Sequence, residues 1–99
     1  MEAIYTIEQL RERLNPVFLK NNVRRATLFG SYSRGAATPD SDVDILVDSG
    51  LKGLAFYGLL EDASRALDCP LDLIDTREVV PGSLVDREIR RTGVVIYER

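Results

Sequence analysis

The sequence contains no histidine, no tryptophan and a single cysteine. Without histidine there is no Ser-His-Asp or Cys-His nucleophile and no histidine-ligated zinc. Cys69 alone can neither close an internal disulfide nor build a thiolate zinc site, and it reads as a small, partly buried residue near a strand start. Long apolar runs are also missing, and none approaches the ~20 residues that a membrane helix needs. The opening Met1-Glu2-Ala3-Ile4-Tyr5 lacks the basic and then apolar regions of a signal peptide. These absences predict a cytoplasmic protein with no membrane attachment. The net charge of -3 argues against direct nucleic-acid binding through backbone electrostatics, which needs a basic surface. Catalysis, if there is any, is left to carboxylates, metal ions and backbone amides.

What is present is an ordinary globular composition. At 99 residues the chain has room for one domain, and 44% apolar against 29% charged residues is unlike a disordered segment. Thr6-Ile7-Glu8-Gln9 is a capping box, and Ile7, Leu10, Leu14, Val17 and Phe18 follow at helical spacing. Pro16 either kinks this helix or ends it near Leu14 and starts another. Strands are expected at 25–29, 43–47, 71–74 and 94–97. An amphipathic helix should carry Leu54 to Leu67, and a last helix should run from a Ser83 cap through Arg91 to a stop at Gly93. The order α, β, β, α, β, α, β predicts an α/β (α+β) fold, a small mixed sheet covered on one side by helices.

The chemistry concentrates in Gly30-Ser31-Tyr32-Ser33-Arg34-Gly35 and Ser41-Asp42-Val43-Asp44. Asp42 and Asp44 stand two apart at a strand start, so both side chains leave on one face while their apolar neighbours enter the core. Two carboxylates ~5 Å apart repel by several tenths of a kcal/mol in water and by a few kcal/mol at an effective dielectric near 20. A fold that keeps both on one face calls for a cation, and with oxygen-only ligands Mg²⁺ or Mn²⁺ is the natural choice. Asp72, mid-strand between Leu71 and Leu73, defies β propensity and becomes a third carboxylate if its strand lies beside Val43–Val47. Gly30 directly after a strand lets a ligand approach the backbone, and a turn starting at Ser31 would offer amides and a hydroxyl to an anion.

Two rival motifs fail by position. The glycine spacing of 30 and 35 suits a P-loop, but Ala36-Ala37 stands where Lys-Ser/Thr is required. Asp40-x-Asp42-x-Asp44 resembles an EF-hand start, but Ile45 replaces its glycine and Leu51 its closing glutamate. Arg34 is open between touching phosphate and pairing with a carboxylate, Tyr32 and Ser33 read as structural or solvent-facing, and Asp75 reads as an ordinary strand-end or capping residue.

Gly30-Ser31, ten residues and then Asp42-x-Asp44, with Arg34-Gly35 inside, resembles the minimal nucleotidyltransferase (MNT) family of the DNA polymerase β-like superfamily. The likeness extends to Leu71-Asp72-Leu73-Ile74-Asp75 and to Ile89–Tyr97, so residues 1–99 are expected to be a single minimal nucleotidyltransferase domain. The resemblance implies catalytic and metal-binding roles for Asp42, Asp44 and Asp72, with Mg²⁺ or Mn²⁺ as cofactor. Nucleotide binding would fall to Gly30, Ser31 and Arg34. It implies transfer of AMP from ATP to a hydroxyl. In antitoxins of this family the hydroxyl is a tyrosine on a HEPN-domain ribonuclease toxin. A small-molecule, antibiotic-type nucleotidyltransferase and a non-catalytic antitoxin acting by binding alone stand as alternatives.

Overall fold

The computed structural model describes residues 4–99; Met1–Ala3, part of the segment read above for a targeting signal, lie outside the described residues. The capping box forms as read. Thr6 Oγ1 accepts from the Gln9 amide at 3.0 Å, and Gln9 Oε1 accepts from the Thr6 amide at 2.8 Å. Helix α1 follows over Ile7–Lys20 and runs through Pro16. It survives because Pro16 and Glu12, whose carbonyl loses its partner, both face solvent. Its other face buries Leu10, Leu14 and Phe18 completely.

Four strands follow: β1 (Arg25–Phe29), β2 (Val43–Asp48), β3 (Leu71–Asp75) and β4 (Val94–Glu98). They form one sheet in the order β3-β2-β1-β4, in which β1 runs antiparallel to both neighbours and β2 parallel to β3. A parallel pair needs a crossover, and α2 (Gly53–Ala66) provides it. Val43, Ile45 and Val47 of β2 are fully buried on one face with Ala26 and Leu28 of β1 and the apolar sides of α1 and α2. Asp44, Leu46 and Asp48 point the other way. Each fully buried aliphatic side chain contributes about 1.5–3 kcal/mol, so the α1–sheet–α2 layer carries most of the stability.

Helix α3 (Leu84–Thr92) departs from expectation. The sheet is mixed and helix-covered, but not on one side only. α3 lies against the opposite face, with Ile89 beside Thr27 and Leu46. None of its residues is buried. Strand alternation announces two faces but does not say which one a polar helix will lie on. Ser83 Oγ caps it by accepting from the Asp86 amide at 3.2 Å. The helix ends at Gly93, whose backbone is extended and where only glycine fits: a Cβ there would sit 2.4 Å from the Ile89 carbonyl oxygen and 3.0 Å from Thr27 Cγ2. No helix among the described residues is long and apolar enough to cross a membrane.

Asp75 closes β3 as a capping residue, and it is 1% exposed. Its Oδ2 accepts from the Ser49 hydroxyl and amide, and its Oδ1 from the Arg77 amide at 3.1 Å. Burial alone would raise its pKa, but these hydrogen bonds outweigh it and hold the carboxyl below the ordinary range. The β2–α2 connection is thereby tied to the end of β3. Asp75→Ala leaves the buried Ser49 amide and the part-buried Arg77 amide without an acceptor and should cost about 3 kcal/mol in urea unfolding.

Candidate active site

The register places the acidic residues. Phe29 at the end of β1 pairs with Asp44 near the start of β2, and Asp44 is level with Asp72 on β3. Asp42 immediately precedes β2 and is exposed. Gly30 follows Phe29 with φ +75°, and a Cβ at this position would lie 2.2 Å from Asp44 Oδ2. Position 30 therefore admits no side chain on two counts, conformation and space. The aspartate rests directly on the loop backbone.

Residues 30–35 form a single tight turn. The Gly30 carbonyl accepts from the Arg34 amide at 3.3 Å and the Ser33 hydroxyl at 2.9 Å, and the Ser31 carbonyl accepts from the Ala36 amide at 2.9 Å. The amides of Ser31, Tyr32 and Ser33 have no protein acceptor among the described residues. Tyr32 is 7% exposed and packs into the core, which anchors the turn. Ser33 and Tyr32 are thus structural, in line with the reading of the sequence.

Gly30, Ser31, Arg34 and Asp44 form one side of a cavity of about 410 Å³. The other side is the first half of α3, with Leu84, Val85 and Glu88. Arg34 Nη1 donates to Glu88 Oε2, so the arginine pairs with a carboxylate and still lines the cavity. Asp44 is half-buried there. Its pKa is pushed up from its ordinary 3.8 to about 6, first by burial and then by the charges of Asp72, Asp42 and Glu88, with Arg34 opposing.

Asp42 and Asp72 do not line this cavity. Among the described residues, no three Asp, Glu, Cys or His side chains gather closely enough to enclose a cation. Uncompensated like charges stay apart, and Mg²⁺ at phosphate sites usually takes one or two carboxylates with the rest from water and phosphate. The donor chemistry fits such an ion: hard oxygens at Asp42, Asp44 and Asp72, near enough for Asp44 to feel the charge of the other two.

The sequence reading missed the α3 wall. Glu88 carried no motif, because its partner is 54 residues away and only the tertiary fold joins them. Leu84 and Val85 are exposed aliphatics at a helix start, and sequence alone offers no reason to put them at a cavity.

A glycine turn thus rests on one aspartate, with two more aspartates at the same end of the sheet. The chain belongs to the polymerase beta nucleotidyltransferase family, whose model matches residues 12–99. Two relatives are both named protein adenylyltransferase MntA. The one from Shewanella oneidensis is 36% identical over 76 residues, covering 72% of this chain and 55% of its own. The one from Thermococcus cleftensis is 50% identical over 50 residues, covering 48% and 43%. This chain spans about half the length of these curated relatives. A toxin–antitoxin crystal structure with AMP-PNP has a similar fold. Its TM-score is 0.74 at 26% identity, covering 90% of this chain and 73% of that one.

Gly30→Ala is expected to lower stability by about 2 kcal/mol. Adding Asp44→Ala should recover part of that loss in chemical unfolding, since the oxygen that the new methyl meets is gone. Asp44 also predicts a pH dependence. Its folded pKa of about 6 lies above its ordinary 3.8. The protonated form therefore favours folding below pH 3.8, and that contribution is lost as pH rises through 6. In metal-free buffer Asp44→Asn should melt higher than the unsubstituted chain at pH 7.5, and the gap should close as the pH falls towards 4.

Proposed function

We propose that this chain, read as one minimal nucleotidyltransferase domain, transfers AMP from ATP to a tyrosine hydroxyl of a HEPN-domain ribonuclease toxin, and so acts as its antitoxin in the cytoplasm. The observation that carries the reading is the contact between Gly30 and Asp44, where a Cβ would meet the carboxylate at 2.2 Å. That contact joins an anion-binding turn to an acidic metal site within the reach of one triphosphate. The names of the two MntA relatives and the AMP-PNP complex support AMP as the group transferred and a toxin as partner.

The unpaired amides of the turn and the Ser31 hydroxyl bind the triphosphate, together with Arg34. Asp42 and Asp44, with Asp72, would hold the divalent cation, Mg²⁺ or Mn²⁺. When bound, the ion neutralises phosphate charge and polarises the α-phosphate. The acceptor hydroxyl attacks the α-phosphorus, the bond from that phosphorus to the bridging oxygen breaks, and pyrophosphate leaves. Asp72, level with Asp44 on the neighbouring strand, orients the acceptor hydroxyl and takes its proton.

The test is the intact mass of a HEPN-domain partner co-expressed with this chain or with its Asp42→Asn/Asp44→Asn form. Added mass in AMP units is expected with the unsubstituted chain only. An unmodified partner that co-purifies with both forms would replace the enzymatic reading with neutralisation by contact.

A further inference from the structure

Of the groups lining the 410 Å³ cavity, Arg34 is the one cation among the described residues, and Asp44 and Glu88 are both carboxylates. The walls therefore carry a net negative charge where a polyanion is to bind. Glu88 stands on α3, on the side of the cavity away from the sheet carboxylates, and it is the group on which the Arg34 guanidinium rests. Neither side chain is deeply buried, at 41% exposed for Arg34 and 32% for Glu88, so the ion pair can open when a phosphate competes for the arginine.

We propose that Glu88 is a specificity-determining residue: by engaging Arg34 and adding a second negative wall, it makes the cavity reject free triphosphate and accept the metal-complexed form. This rests on the reading of the cavity as an ATP site. The physical reason is charge. Metal-free ATP carries about two more negative charges than its magnesium complex, so a fixed negative wall penalises it more. Without Glu88, Arg34 would stand free and attract any triphosphate, and nucleotide could occupy the site without the ion that the reaction needs. Glu88 thus couples occupancy of the cavity to the presence of the cation, although it ligates neither.

Isothermal titration calorimetry of the chain with ATP in EDTA and with ATP in excess Mg²⁺ tests this, using the unsubstituted protein, Glu88→Gln, Glu88→Lys and Glu88→Asp. Affinity for metal-free ATP should rise about tenfold in Glu88→Gln and further in Glu88→Lys, with a gain of about threefold or less for Mg-ATP. The gain should fade at high salt, and Glu88→Asp should keep the discrimination. A graded gain in affinity cannot arise from damage to the fold. Equal changes for the two forms of ATP, or a loss for both, would overturn the role of Glu88 while leaving the ATP site intact. Failure of the unsubstituted chain to bind Mg-ATP would overturn the ATP reading and this proposal with it.

Discussion

The carboxylate of Asp44 lies on the backbone of Gly30, and most of what is chemically distinctive here depends on that contact. It exists because β1 and β2 pair with Phe29 opposite Asp44, so the first residue after β1 meets the acidic side chain of β2. The same register sends Val43 and Ile45 into the core. A slip of one residue would bury the aspartate and expose the valine, so the core itself holds the site in place. Packing energy from side chains on one face of the sheet fixes the position of a carboxylate on the other.

Two aspartates on neighbouring strands show how a fold separates structure from chemistry. Asp75 is almost wholly buried, and its charge is matched by donors from Ser49 and Arg77, which hold its carboxyl below the usual range. Asp44 is less buried but faces Asp72, Asp42 and Glu88, and its carboxyl is pushed up to about 6. The first is satisfied by the protein; the second is left repelled by its neighbours. Unrelieved repulsion among acids is destabilising, and its retention beside a turn whose amides lack protein acceptors is a mark of function.

α3 brings a different contribution. It buries no residue, so it adds little to the core, yet its first turns complete the cavity with Leu84, Val85 and Glu88. A small domain of the polymerase beta nucleotidyltransferase family thus divides its labour. One face of the sheet is committed to packing against α1 and α2. The other, thinly covered, is free to hold charge.

Much of this was legible in the amino-acid order, and the reasons are local. The Thr6–Gln9 box, the 3.6-residue spacing of Leu10, Leu14 and Phe18, the alternation of Val43, Ile45 and Val47, and the Ser83 cap each depend on neighbours within a few residues. The pairing of Gly30-Ser31 with Asp42-x-Asp44 was legible for the same reason, since a loop and the next strand lie close along the chain. Passage of α1 through Pro16 was decided by the solvent exposure of Glu12 and Pro16, which spacing does not report. The side of the sheet that α3 covers, the level pairing of Asp44 with Asp72, and the Arg34–Glu88 contact across 54 residues were decided only when the strands assembled. Sequence periodicity sets which side of an element is apolar, whereas which elements face each other is set by closing the chain around one core.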